Sequence, residues 1–180
     1  MKAKLNNVRL AFPQLFEAAS VNGEGKPAFS GTFILPPNHS DLATLNSIID
    51  KVAEEKWGAK APDILKNLRA SGKVALRSGD DKSNYAGFAG NFYISARNVI
   101  RPTVIDANRN PLTHADGRPY AGCYVNAVID IWAQDNNFGK RINASLGGVQ
   151  FYRDGDAFSG GGAASSDEFD IVDEPAVDLV

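Results

Sequence analysis

The 180-residue sequence predicts a mainly β fold: an antiparallel β-barrel with one or two inserted α-helices, followed by a disordered acidic C-terminal tail. Three observations favour this class. Short segments with alternating apolar and polar residues are separated by turn residues, two segments have helical periodicity, and the composition changes after Arg153. The length suits one domain with an appendage, so we predict a folded domain over 1–153 and a linker with an acidic tail over 154–180.

Two strands are predicted in the N-terminal part of the chain. Residues 4–12 alternate, with Val8, Leu10 and Phe12 on one face, and Pro13 is expected to end the strand. A second strand is expected over residues 28–35, because the pair Pro36-Pro37 cannot continue it.

Two helices should follow these strands. The first begins after Ser40 or Asp41, either of which can cap it, and Gly58 is a plausible end. A shorter helix is predicted from Pro62 to about Ser71, with proline at its start and Gly72 after its end. The apolar stripe of the first helix consists of Leu42, Leu45, Ile48, Ile49 and Val52.

The remaining elements are predicted to be strands. Residues 73–77 and 92–99 alternate, and a final pair is expected at 124–132 and 141–151. Residues 101–106 form a short edge piece because Pro102 suits an edge strand, and such an edge could pair between subunits of a homo-oligomer. Several short strands of this kind are typical of a closed antiparallel barrel.

The charge distribution points to a nucleic acid. Residues 1–153 hold all 19 basic residues against 13 acidic ones, a net +6, whereas residues 154–180 carry -8. Such a split is typical of nucleic-acid-binding proteins and of acidic tails. No segment approaches the length and hydropathy of a membrane span or a signal peptide, so no membrane partner is expected. A single cysteine, Cys123, suits a reducing cytoplasm.

Catalytic and metal chemistry is poorly supported. The two histidines, His39 and His114, lie in predicted loops, and Cys123 lies among apolar strand residues. A zinc site would need about four ligands. We therefore expect no cofactor, no metal and no enzymatic activity. One alternative is a metal-dependent nuclease that uses scattered aspartates, namely Asp80, Asp81 and Asp106.

Binding of a single strand is better supported, since it needs cations along a groove and aromatic faces on which bases stack. The outward faces of the predicted strands and their adjoining loops supply both. Trp57 and Trp132 are assigned structural roles. The predicted DNA-binding residues are Lys73, Arg77, Lys82, Tyr85, Phe88, Tyr93, Arg97, Arg101, Arg118, Tyr120, Phe138, Lys140 and Arg141.

The tail has two interpretations. Gly160–Ser166 reads as a flexible linker, and the acidic segment after it cannot bury enough surface to fold alone. It either only aids solubility, or it competes for the basic groove and recruits partner proteins when DNA displaces it. The predicted partner-binding residues are Asp167, Glu168, Phe169, Asp170, Asp173 and Glu174.

Several motifs carry a family resemblance. They are VRLAFPQLF at 8–16, KWG at 56–58, RPTVID at 101–106, YAGCYV at 120–125, and LGGVQ at 146–150 followed by DGD at 154–156. Over about residues 4–160 the chain resembles the tailed-bacteriophage single-stranded-DNA-binding proteins with an OB fold. The resemblance implies a barrel that coats single strands during phage DNA replication or recombination in the host bacterial cytoplasm, without catalytic residues, and whose tail meets replication or recombination proteins.

Two questions stay open, one about strand order and one about function. A simple OB barrel has its helix after three strands, whereas the predicted helix follows two. Either a strand is missed near residues 15–21, or the helical segment is an insertion. A virion structural or assembly protein built as a β-barrel is the alternative function.

Overall fold

Five strands close into a barrel in the computed structural model, which describes residues 1–21, 23–158 and 169–172. The strands are β1 (Lys2–Val21), β2 (Glu24–Leu35), β3 (Leu76–Ser78), β4 (Phe92–Asn98), β5 (Thr103–Ile105), β6 (Tyr124–Asn136) and β7 (Gly139–Arg153). The sheet order is β3-β4-β2-β1-β6-β7-β5, and a parallel contact between β4 and β7 at Arg97 and Ser145 closes β4, β2, β1, β6 and β7 into the barrel. The mainly β prediction is confirmed.

Strand β1 is longer than predicted because Pro13 does not end it. The pairing of β1 with β2 shifts between Ala11 and Gln14, so Pro13 lies at a bulge, where its missing N–H costs no ladder hydrogen bond. The strand therefore continues to Val21. Residues 15–21 are the end of the first strand, and no separate strand was missed there.

The helices are an insertion between the second and third barrel strands. Helix α1 (Asp41–Trp57) and helix α2 (Ala61–Ala70) are joined by a 3-10 turn over Gly58–Lys60. Leu42, Leu45 and Ile49 are buried against the barrel as the periodicity predicted. The predicted cap is wrong: Ser40 makes no side-chain hydrogen bond to the helix, and Asp41 Oδ2 instead accepts from the backbone N–H of Asn6.

The short elements around β4 differ from the prediction in extent. The strand expected over 73–77 is reduced to β3 at Leu76–Ser78, and Val74 makes an isolated bridge to Ile142. Strand β5 lies at the sheet edge as predicted and runs parallel to β7. The loop that follows β5 contacts the strand through an isolated bridge between Ile105 and Pro111.

The main core lies inside the barrel and beneath the helices. It includes Leu5, Phe33, Ile94 and Ile129. A second, smaller cluster outside the barrel consists of Ala11, Ile34, Phe88 and Tyr93, with Phe158 packed against it. Across the described ranges, neither helix is long and apolar enough to cross a membrane.

Candidate nucleic-acid interface

A groove of about 530 Å³ crosses the seam where β4 and β7 close the barrel, and we call it the seam groove. One wall comes from β3, β4 and the 3-10 turn Gly79–Lys82, and the other from the β6–β7 hairpin. Its polar and aromatic lining consists of Arg77, Lys82, Tyr93, Ser95, Arg97, Trp132, Gln134, Arg141, Asn143 and Ser145.

Strand alternation builds both walls. In β4, Tyr93 and Arg97 share a face because successive side chains of a strand point to opposite sides. In the hairpin, Trp132 and Asn143 are directly paired and face the groove, whereas their neighbours Ile131 and Ile142 are buried in the barrel. Because the apolar residues must face the barrel core, the alternate residues of each strand point into the groove.

The seam groove is strongly basic. It brings together four of the predicted cations: Arg77, Lys82, Arg97 and Arg141. Within the described part of the chain, only Arg77 among these pairs with a carboxylate, through an Nη2–Oδ2 distance of 3.2 Å to Asp81. The other three charges are available to an anionic ligand such as a phosphodiester chain.

Tyr93 forms part of the groove floor but is 2% exposed. Lys82 Nζ lies 5.5 Å from the ring centroid and the Arg77 guanidinium 6.0 Å away, so two cations stand over the ring. Burial raises the pKa of Tyr93 despite the opposing charge of Arg77, and the hydroxyl has no hydrogen-bond partner among the described residues. Both the ring and the hydroxyl of Tyr93 are therefore buried, so the open stacking face predicted for this residue is absent.

Trp132, which was predicted to have a structural role, lines the groove. Its side chain is 41% exposed, and its indole N–H donates to Ser145 Oγ at 3.0 Å. The hydrogen bond fixes the edge of an indole ring that lines the groove and stays partly exposed. The sequence signal that could have indicated its groove position is its phase in β6, where even-numbered residues point outward.

Phe138 projects from the tip of the hairpin, in the turn between Asn136 and Gly139, and is 90% exposed. Lys140 lies beside it, with Nζ 3.7 Å from Asp135 Oδ1. Asp135 also accepts a hydrogen bond of 2.9 Å from the indole N–H of Trp57, which ties the end of α1 to the hairpin. This hydrogen bond is the main reason that the pKa of Asp135 is lowered, with help from the Lys140 charge.

A second aromatic group lies next to Lys82. The rings of Phe12 and Tyr85 meet edge to face at 5.1 Å, and both are about half exposed. Phe12 was predicted to share a face with Val8 and Leu10, which is wrong: those two are buried, whereas the φ of 48° at Phe12 breaks the strand alternation and its ring is exposed. Phe88 was predicted to offer an exposed face, but it is 1% exposed and packs against Tyr93.

Eight predicted binding residues do not line the seam groove: Tyr85, Phe88, Phe138 and Lys140, described above, and four more. Arg101 donates to the carbonyl of Phe16 at 2.8 Å, and Arg118 stands 5.1 Å from the ring of Phe151. Tyr120 is half-buried, and its hydroxyl donates to Asp154 at 2.7 Å. Lys73 is exposed, and its chain neighbours Gly72 and Val74 line the groove.

Residues 154–158, which the sequence placed in the tail, pack against the barrel, and we call them the tail root. The backbone N–H of Phe158 donates to the carbonyl of Ala121, and the guanidinium of Arg9 lies 4.2 Å from the Phe158 ring. Phe169 and Asp170 are described and exposed. Asp167, Glu168, Asp173 and Glu174 lie outside the described residues.

The groups considered for catalysis have local structural contacts. Asp80 accepts from the backbone N–H of Gly90, Asp81 pairs with Arg77, and Asp106 accepts from Asn108 and Asn110 in a turn. In the ranges that the structure describes, no three His, Cys, Asp or Glu side chains group into a possible metal site. Burial raises the pKa of the Cys123 thiol to about 11.

Comparison with known proteins agrees with this architecture. The solved single-stranded-DNA-binding protein of bacteriophage Enc34, in complex with ssDNA, superposes with a TM-score of 0.72 and 27% identity, covering 87% of this chain and 89% of that chain. Bacteriophage T7 gp2.5, a single-stranded-DNA-binding protein, shares the fold at a TM-score of 0.60 and 10% identity, covering 91% and 97% of the two chains.

Sequence comparison also finds a phage protein and a phage protein family. Protein p50 of Acyrthosiphon pisum secondary endosymbiont phage 1 is 52% identical over 173 residues, which cover 94% of this chain and 93% of p50. The family model described as the ssDNA-binding protein of Enterobacter phage Enc34 matches residues 1–179. The OB-fold prediction is confirmed, and the chain belongs to the family of the Enterobacter phage Enc34 ssDNA-binding protein.

Proposed function

We propose that this protein binds single-stranded DNA in the seam groove and thereby coats and protects it. The observation that carries the proposal is the convergence of Arg77, Lys82, Arg97 and Arg141 around an exposed Trp132 in one open groove. Cations along a track combined with an aromatic face are the two requirements for holding a single strand.

The geometry favours binding with little sequence preference. Guanidinium and ammonium groups attract phosphates, which are the same at every nucleotide, and the face of Trp132 can stack on any base. In OB folds the loop between the last two strands joins the nucleic-acid contacts. Here that loop is the hairpin tip, where Phe138 is 90% exposed. We therefore assign Trp132 and Phe138 to stacking, with Phe12 and Tyr85 as a further aromatic surface near Lys82.

The acidic tail is proposed to compete with DNA for the groove. Phe158 anchors the tail root on the cluster that contains Tyr93, which is also part of the groove floor. The chain beyond Phe158 therefore starts close to the groove, and its acidic residues act at a high effective concentration. Phe169, Ile171 and Val172 are exposed apolar side chains that a partner protein could bind once DNA displaces the tail.

The family supports a proposal for the biological role. Because relatives are phage proteins that bind ssDNA, we propose a role in phage DNA replication or recombination, carried out in the cytoplasm of the bacterial host. Replication or recombination proteins would be the partners of the tail.

Fluorescence anisotropy with labelled oligo-dT tests the binding proposal. We expect salt-sensitive binding by the native chain and a marked loss in the double variant Arg97→Gln/Arg141→Gln. A matched double variant, Lys51→Gln/Lys66→Gln, removes two charges from exposed positions on the helices and should bind as the native chain does. Absence of binding at low salt would overturn the proposal and favour the virion-protein alternative. Equal loss in both double variants would place the DNA elsewhere.

A further inference from the structure

A second basic groove lies further along the outer face of the β6–β7 hairpin. Its volume is about 460 Å³, and its charged lining consists of Lys2, Lys4 and Arg109. Its floor contains Gly147 and Gly148, so we call it the glycine-floored groove. None of its residues was among those predicted to bind DNA.

The charge of this groove is not neutralised by the described part of the chain. Lys2, Lys4 and Arg109 are exposed, and no carboxylate in that part forms an ion pair with them. Two acidic residues lie nearby, and both are engaged. Asp130 Oδ1 is 2.7 Å from the amino group of Met1, and Asp106 accepts hydrogen bonds from the backbone N–H groups of Asn108 and Asn110. The groove therefore presents a net positive surface.

Part of the floor is bare backbone, because a bulge in β7 places two glycines there. Val128 pairs with Gly148, and Ile129 pairs with Leu146, so Gly147 is the extra residue and both glycines lie on the outer side. A Cβ at Gly147 would lie 3.1 Å from the carbonyl oxygen of Val128, and one at Gly148 would lie 3.2 Å from that of Thr103. No aromatic side chain lines this groove, so it suits a phosphate-sugar chain rather than stacked bases.

The two grooves are neighbours on one strand. Ser145 lines the seam groove, and Gly147, two residues further along β7, lines the second groove. At 3.3–3.4 Å per residue, this step is about 7 Å, and the distance from Arg141 to Gln150 is about 30 Å. A single strand leaving the seam groove along β7 would therefore meet the second groove at once.

We propose that the glycine-floored groove binds the phosphodiester backbone of the same DNA strand that occupies the seam groove. This inference rests on the proposed function. It divides the interface into a stacking segment at Trp132 and a purely electrostatic segment at Lys2, Lys4 and Arg109. The second segment contributes only to oligonucleotides long enough to reach it.

The test compares two oligonucleotide lengths in the double variant Lys4→Gln/Arg109→Gln. OB folds occupy about 4–16 nucleotides, so labelled oligo-dT of about 4 and about 16 nucleotides represent the two ends of this range. We expect unchanged affinity for the short strand and several-fold weaker binding of the long one. The slope of log affinity against log salt should fall by about 1.4 for the long strand, because each lost phosphate contact removes about 0.7.

Controls separate this proposal from the proposed function. The Lys51→Gln/Lys66→Gln variant loses the same net charge and should keep the native slope for both lengths. Arg141→Gln should weaken both lengths, since it alters the seam groove. If Lys4→Gln/Arg109→Gln binds the long strand with native affinity and slope while Arg141→Gln does not, the second groove plays no part. If the native chain binds neither strand, the proposed function itself fails.

Discussion

Trp132 and Phe138 lie on the same hairpin, yet their rings have different freedom. The indole of Trp132 is held by a hydrogen bond to Ser145, whereas Phe138 stands at the tip with 90% of its side chain in solvent. A ring that is already fixed loses less conformational entropy when a base stacks on it. We therefore expect Trp132 to contribute more to affinity than Phe138 does.

Replacing Trp132 with alanine should weaken oligo-dT binding by about 5-fold to 150-fold, since stacking on one aromatic ring contributes about 1–3 kcal/mol. Trp132→Phe should retain most of the affinity because it keeps a ring. The matched control is Tyr152→Ala, an aromatic residue on β7 that is 50% exposed but does not line the seam groove. Anisotropy titration measures all three. Equal losses in Trp132→Ala and Tyr152→Ala would rule out a specific stacking role.

Cys123 should be chemically inert in the native protein. The thiol is buried, and its pKa of about 11 leaves about one molecule in a thousand as thiolate at pH 8. Labelling with a thiol reagent at pH 8 should therefore be slow in buffer and complete within the mixing time in denaturant, as mass spectrometry would show. Rapid labelling of the native protein would mean that β6 opens near Cys123.

At the scale of elements, α1 and the β6–β7 hairpin are joined by the hydrogen bond from Trp57 to Asp135. The fold lowers the pKa of Asp135, chiefly through this hydrogen bond. A lowered pKa means that the contact stabilises the fold above the ordinary pKa of the carboxyl group and is lost as the pH falls through the lowered value. The helical insertion thus supports the hairpin throughout the neutral range.

An NMR titration of the Trp57 indole N–H tests this link. Its signal should move only below the ordinary aspartate pKa of 3.8, when Asp135 takes up a proton. In Asp135→Asn the signal should be independent of pH over the same range, and Trp57→Phe assigns the resonance. A midpoint at or above 3.8 would contradict the lowered pKa and the contact that causes it.

The tail root depends on the absence of a side chain at Gly122. This residue has φ 105°, and a Cβ there would overlap the carbonyl oxygen of Asp156 and lie 2.8 Å from Cα of Ala157. Gly122→Ala should therefore lower the free energy of unfolding by more than the roughly 1–2 kcal/mol expected for left-handed backbone alone. Urea denaturation measures the difference.

A suitable control is Gly90→Ala, because Gly90 has φ 77° with nothing within 4 Å of its Cβ position. In a chain truncated after Arg153, Gly122→Ala should cost no more than Gly90→Ala, since the tail root is gone. A Gly122→Ala penalty that is the same with and without residues 154–158 would show that the tail root is not held there.

Strand phase explains which site residues the sequence could predict. Arg77, Arg97 and Arg141 were placed on outward faces by alternation, and the structure brings all three to the seam groove. The same reasoning failed for Phe12, because alternation assumes a regular strand. The φ of 48° at Phe12 is a local departure from that geometry, beside the bulge at Pro13. Trp132 had an outward phase in its strand, but it was predicted to have a structural role.

Long-range contacts account for the remaining differences. Nothing local indicates that Arg101 donates to Phe16, or that Tyr120 bonds to Asp154, because these partners are 85 and 34 residues away in the chain. The same holds for Phe158, which looked like part of a linker until the fold placed Arg9 and Ala121 beside it. Sequence patterns therefore predict which face a residue occupies better than they predict its partners.

At the scale of the whole molecule, the structure shows where the basic part of the chain gives way to the acidic part. Residues 1–158 carry 19 basic and 15 acidic residues, a net +4, and residues 159–180 carry -6. The boundary between these regions is the tail root, which is packed on the cluster next to the seam groove. The chain thus connects the acidic residues to a point beside the seam groove, and salt should weaken any attraction between the two.

Removing residues 159–180 should tighten oligo-dT binding by on the order of tenfold at low salt, a coupling between tail and DNA within the usual range. Ending the chain at Phe158 keeps the tail root, so the barrel is unchanged in the comparison. The gain should shrink as salt rises past 0.1 M, where the Debye length falls below about 10 Å. A full-length variant with the six acidic residues after Phe158 changed to Asn or Gln separates charge from bulk. If it binds as tightly as the truncated chain, competition is electrostatic; if truncation leaves affinity unchanged or weaker, the tail does not compete for the groove.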